Sequence, residues 1–134
     1  MRVCLCVCAV LLTVSAAGFA DEVTDEYSKL MKPAAAANMT LQRVMETDLA
    51  AAASTATEMQ AAFAKVEEFW TKRGTADAMG FAKNVQAVAK EVHDAAAAGN
   101  KDATVAAARR IAANCASCHM AHRERLPDGA FQLK

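Results

Sequence analysis

Residues 49–73 read LAAAASTATEMQAAFAKVEEFWTKR. Leu49, Ala52, Ala56, Met59, Phe63, Val66 and Trp70 recur there in alternating steps of three and four. That is the spacing of one apolar face on an α-helix. Gly74 follows at once, and glycine ends helices by taking a left-handed backbone conformation.

The same pattern repeats on both sides. A stripe of Tyr27, Leu30/Met31, Ala34, Leu41 and Val44/Met45 marks a helix over about 22–46. Phe81, Val85, Val88 and Val92 mark one over about 76–98, and Ala108, Ile111, Cys115 and Cys118/His119 one over about 101–125. Breakers stand at Gly74, Gly99 and Pro127-Asp128-Gly129. Gly99 suits the left-handed position that closes the third helix, and Asn100 the cap of the fourth. Residues 22–73 are too many for one globular helix. Thr47-Asp48 is the preferred turn, because both residue types favour helix N-caps. Ser54-Thr55 is a rival, since Thr55-x-x-Glu58 resembles a capping box. Pro33 removes the amide that would bond to the Lys29 carbonyl, so a kink is expected there. Asn38 falls on the apolar stripe, where it can bond a neighbouring helix or face a cofactor edge.

Alanine makes up about a quarter of the chain, while glycine and proline number five and two. Alanine is the best helix former, and no segment reads as a strand. Connections are short, so neighbouring helices run antiparallel. The expected fold is all-α, an up-down-up-down four-helix bundle.

Residues 1–20 read as a secretory signal peptide. Arg2 supplies a positive start, Val3 to Val14 an apolar stretch, and Gly18-Phe19-Ala20 puts small residues at the two positions that a signal peptidase reads. The apolar stretch is short for a membrane span. The mature domain is then 21–134, with Cys115 and Cys118 as its two remaining thiols, since Cys4, Cys6 and Cys8 leave with the leader. The expected compartment is the periplasm, an oxidising one. Without Arg2 the chain holds 14 Lys+Arg against 15 Asp+Glu. That balance gives no ground for a nucleic-acid or anionic-membrane partner.

The densest chemistry lies at Cys115-Ala116-Ser117-Cys118-His119. Cys-x-x-Cys-His is the attachment pattern of a c-type haem. Each thiol can form a thioether to a haem vinyl group, and the next residue offers an imidazole to the iron. On a helix these positions share one face, so both sulfurs and the imidazole reach the same side of a flat macrocycle. Two other readings of the motif are weaker. A redox dithiol belongs near a β-α-β pattern, and a zinc site wants a second ligand pair.

Helix heights rank the residues opposite His119. The fourth helix ends near residue 125, so the level of His119 matches the first half of the antiparallel first helix, where Met31 lies. Met39 stands about 12 Å further along that helix, Met45 about 21 Å, and His93 about 12 Å beyond the equivalent level Phe81–Val85 on the third helix. His122 shares a helix with His119. Met31 is therefore the expected sixth ligand. Tyr27, Phe63, Phe69, Trp70 and Phe81 are expected as core and pocket wall. Lys29, Arg123 and Arg125 are expected as ordinary solvated charges near the haem level, with pairing to haem propionates as the alternative role.

With these residues the chain resembles the class II c-type cytochromes, the cytochrome c′ family with its low-spin, methionine-ligated branch. The likeness spans the four-helix pattern, the single Cys-x-x-Cys-His near the C-terminus and Lys29-Leu30-Met31-Lys32 near the N-terminus. It implies a haem on the last helix and, in the low-spin branch, a methionine of the first helix on the iron. Met31 holds that place. Pro33 lies outside the family's pattern. The family also implies homodimers through the first two helices, which alanine-rich faces permit.

The expectation is an exported monohaem electron carrier without enzymatic turnover. It would hold one covalent haem c through Cys115 and Cys118, with iron between His119 and Met31, and exchange electrons with a redox donor and acceptor. Two alternatives stand beside it. One is a five-coordinate, high-spin, gas-binding haem protein in which Tyr27, Leu30 and Phe81 wall an empty distal face. The other is a haem-free dithiol oxidoreductase.

Overall fold

A computed structural model describes residues 16–134 of the chain, with side chains from Val23 onward. The apolar stretch expected for a leader, with Cys4, Cys6 and Cys8, lies outside the described residues. Four helices follow one another: α1 (Ala16–Val44), α2 (Leu49–Arg73), α3 (Ala76–Ala97) and α4 (Lys101–His122). They form the expected four-helix bundle, each helix packed on its chain neighbour. Among the described residues no helix is long and apolar enough to cross a membrane.

The breaks fall where turn chemistry directs them. Asp48 caps α2, its side chain accepting the Ala51 amide at 2.9 Å. The rival turn is inside α2, where Thr55 is buried. Gly74 ends that helix at φ 67°, a left-handed conformation that a Cβ would oppose. Asn100 caps α4 by accepting the Ala103 amide at 3.1 Å. Pro33 does not break α1, which runs as one helix from Ala16 to Val44.

The C-terminus departs from expectation. Helix α4 stops at His122 rather than near residue 125, and the chain then forms a small antiparallel hairpin. Its strands are β1 (Arg123–Arg125) and β2 (Phe131–Leu133), with Arg123 opposite Leu133 and Arg125 opposite Phe131. The cause is local. Pro127 pushes Leu126 away from helical backbone, and Gly129 adopts φ 89°. The Ala130 amide bonds Asp128 Oδ1 at 2.9 Å, and the Leu126 amide bonds the Ala130 carbonyl at 2.8 Å.

Burial of the apolar stripes holds the bundle together. Leu41, Met59, Val66, Val85, Val92 and Ile111 are fully buried. Each such side chain contributes about 1.5–3 kcal/mol by leaving water. Between them Ala52, Ala56, Ala78, Ala82, Ala89 and Ala108 are buried, and their small size lets the backbones approach. Packing is densest between α2 and α3 and between α3 and α4, and close between α1 and α2. Helices α1 and α4 meet only thinly. The bundle therefore has one open seam.

Candidate functional site

The seam between α1 and α4 holds two neighbouring pockets that share lining residues. The inner part is a crevice of about 10 Å³. Its walls carry Met31 from α1 and Cys115, Cys118 and His119 from α4, with Phe63, Val66, Phe81 and Val85 closing it from α2 and α3. The outer part is larger, about 210 Å³, and lies between Thr24, Ser28 and Met31 on one side and His119 and Arg123 on the other. Phe131, Gln132 and Leu133 of the hairpin cover it. Tyr27, Met31 and His119 line both parts.

The structure thus brings Met31, Cys115, Cys118 and His119 to one space. It also bears out the helix heights: Phe81 and Val85 lie at the level of the cysteines, Met45 is buried elsewhere in the core, and Met39 is 67% exposed. Phe63 and Phe81 are walls as expected. Phe69 and Trp70 are buried in the core, also as expected, but are not walls: they pack on Tyr27, with ring centroids 5.0 and 5.3 Å from it. Leu30 packs on the core outside the cleft. Of the three cations considered, Arg123 lines the cleft, whereas Lys29 is exposed and Arg125 lies 5.8 Å from the Phe131 ring. Asn38 does not line the cleft, and its buried Oδ1 has no hydrogen-bond partner on a neighbouring helix or elsewhere.

The other two histidines are occupied elsewhere. His93 places Nδ1 3.2 Å from the Ala53 carbonyl and fastens α3 to α2. His122 places Nε2 3.0 Å from Asp77 Oδ2 and its ring against Trp70. Among the described residues no three His, Cys, Asp or Glu side chains converge as a cage for a bare metal ion.

Burial shapes the chemistry of the cleft. It pushes the Cys118 thiol up to about 11, with Cys115 and Asp77 adding to the effect. Burial also raises Cys115. Tyr27, buried and facing Cys118, is raised to about 12. His119 is lowered, first by burial and then by the Arg123 guanidinium. A lowered imidazole stays neutral, the form that coordinates a metal.

These residues suit a haem in donor type and placement. Two thiols and a neutral imidazole rise from one helix, a thioether faces them from another, and apolar walls surround the space. The inner crevice must widen to admit a macrocycle. The helices that would part are the pair with few contacts to lose.

Sequence reasoning missed the hairpin residues Phe131, Gln132 and Leu133. The signal was present, since Leu126-Pro-Asp-Gly-Ala130 is a turn pattern. Comparison of the chain with protein-family models, with curated proteins and with solved structures finds no match.

Proposed function

We propose that the chain is an exported monohaem c-type cytochrome that carries electrons, its haem tied to Cys115 and Cys118 and its iron held between His119 and Met31. One observation carries this reading. A single cleft has Met31, Cys115, Cys118 and His119 on its walls, although Met31 is far from the others in sequence. Bound there, the haem supplies a one-electron couple at its iron.

Each residue has a definite task. Cys115 and Cys118 anchor the ring on α4. His119, held neutral by burial and Arg123, offers a lone pair from the same face. Met31 offers a thioether from across the seam, and sulfur ligation favours the ferrous state. Phe63, Val66, Phe81 and Val85 keep water from the ring. Arg123, at the outer mouth, presents a guanidinium to a propionate carboxylate. With His119 and Met31 both holding the iron, no open position would be left for a substrate, so the expected role would be transfer between a redox donor and acceptor in the periplasm.

A dithiol oxidoreductase fits the site less well. Reactive cysteines have lowered pKa values and electropositive surroundings, whereas burial raises both thiols here. The five-coordinate gas-binding reading has one observation in its favour: the outer cleft leaves about 210 Å³ beside Met31, room for a small molecule.

Absorption spectra of the exported protein, ferric and ferrous, test all three. Low-spin spectra in both states, turning high spin in Met31→Ala, are expected, with attachment lost in Cys115→Ser. A high-spin wild type that takes up carbon monoxide at once supports the gas-binding protein. A colourless protein made alongside haem-attachment machinery sinks the haem reading.

A further inference from the structure

Strand β2 of the C-terminal hairpin has no task in the proposal above, yet it is the element that spans the open seam. A two-stranded hairpin is marginal alone in water, so this one holds its shape by what it rests on. At the α4 end the anchors are backbone and side chain together. The Lys134 amide bonds the His122 carbonyl at 3.1 Å, and Lys134 Nζ bonds the Met120 carbonyl at 2.9 Å. Arg123 sits 3.9 Å over the Phe131 ring. At the α1 end the Leu133 amide bonds Thr24 Oγ1 at 3.4 Å, and the Leu133 side chain packs against the core. Helix α1 makes more of its contacts with β2 than with α4 itself.

On its other edge α1 is fixed to α2 by the stack of Tyr27 on Phe69 and Trp70. Thr24, Tyr27 and Met31 lie at successive turns of α1, and all three line the outer cleft. A tie at Thr24 therefore acts on the turns that carry Met31.

We propose that strand Phe131–Leu133 is a clasp that sets how closely α1 stands to α4, and thereby the position of Met31 against the His119 face of the cleft. Thr24, Phe131 and Leu133 are positioning residues: they act through α1 and need not touch the cofactor. The inference deepens the haem reading and rests on it for its spectroscopic consequence. The mechanical part stands on the seam alone.

Two variants test it in the full exported protein: removal of residues 131–134, and Thr24→Val, which deletes one acceptor and leaves the chain intact. Three readouts are taken on variants whose helical circular dichroism matches wild type. They are the ferric spectrum, the rate of carbon monoxide binding to the ferrous protein, and amide hydrogen exchange along α1. The clasp predicts a high-spin fraction in both variants. It also predicts carbon monoxide binding faster by about tenfold or more without residues 131–134, in proportion to the fraction of iron that Met31 has left. Exchange should speed up over residues 24–35 and stay unchanged in α2 and α3. A low-spin wild type whose variants keep its spectrum, binding rate and exchange overturns the clasp and leaves the haem reading standing. A wild type that is colourless or already high spin overturns the corresponding part of the haem reading. Exchange then decides the clasp alone: faster exchange in α1 supports it, and unchanged exchange overturns it.

Discussion

The α2–α3 pair and the α1–α4 pair belong to one bundle and behave as opposites. Between α2 and α3 fully buried Met59, Val66, Val85 and Val92 alternate with alanines. Polar cross-links seal the edge: Gln86 Nε2 bonds Glu67 Oε2 at 2.7 Å, and Lys83 Nζ lies 3.7 Å from Glu67 Oε1. Between α1 and α4 the facing residues are Met31, Ser28, two thiols and an imidazole, and a hairpin does the bridging. Stability is concentrated in one half and chemistry in the other. A seam without close packing is the place where a flat group can enter a bundle at small energetic cost.

The largest test of that division is a pair of methionine truncations. Met59 is fully buried and Met31 only partly so. Met59→Ala should cost about 2–5 kcal/mol through lost burial and a residual cavity. Met31→Ala should cost about 1 kcal/mol or less in protein without haem, the range of changes outside a packed core. Urea unfolding midpoints at unchanged slope measure both. Equal losses would mean that the seam is packed as tightly as the core.

Alkali should find the seam next. Tyr27 and Cys118 both titrate above their ordinary values because of burial. A group whose folded pKa is raised contributes stability that is intact below its unfolded pKa and lost as pH climbs to the folded one. The window for Tyr27 thus runs from 10.0 to about 12. For the buried Tyr27 a shift of that size corresponds to roughly 2–3 kcal/mol; solvent screening makes the share of the more exposed Cys118 smaller. Tyr27→Phe should remove the part of alkaline unfolding that lies in this window. If Cys118 carries a haem, as proposed, its thiol would no longer titrate in the attached protein, and the loss should shrink to the tyrosine's share. Melting followed between pH 9 and 12, by circular dichroism, reads both arms; a wild type as alkali-sensitive as Tyr27→Phe contradicts the assignment.

The closed half was legible in the sequence, and the open half only in its chemistry. Heptad-like spacing placed α2 to the residue, because Leu49 to Trp70 has a single face on which to bury its large side chains. Asp48, Gly74, Gly99 and Asn100 read correctly because caps are local hydrogen-bond chemistry. Cys115 to His119 and Met31 could be brought to one level because helix rise is constant. The hairpin was hidden by its brevity: three residues a side carry no usable alternation, and the turn between them read as a helix stop. Phe69 and Trp70 are core as expected but not cleft wall, for a different reason. Helix height sets the level of a side chain, and its direction around the axis depends on how α2 rotates against α1.

The smallest effect expected lies on the outer surface of the closed half. Arg110 of α4 pairs with Glu91 of α3, and their side chains are 53% and 54% exposed. Such a pair orders two long side chains in water, so its net worth is about 0.2–1 kcal/mol. Arg110→Ala should lower stability by about 0.5 kcal/mol or less. A double-mutant cycle with Glu91→Ala should give a coupling that fades as salt rises, since exposed charges are screened. Its value for the comparison is that Arg110 and Arg123 are the same residue type, 13 positions apart on one continuous stretch of chain. Arg110 holds two packed helices that alanines already hold. Arg123 faces His119 and the mouth of the seam. On the proposed haem reading, Arg110→Ala should therefore leave the absorption spectrum untouched, and Arg123→Ala should move it while costing no more stability. Spectral shifts of equal size in both variants would place the charge sensitivity in the whole bundle rather than in the seam.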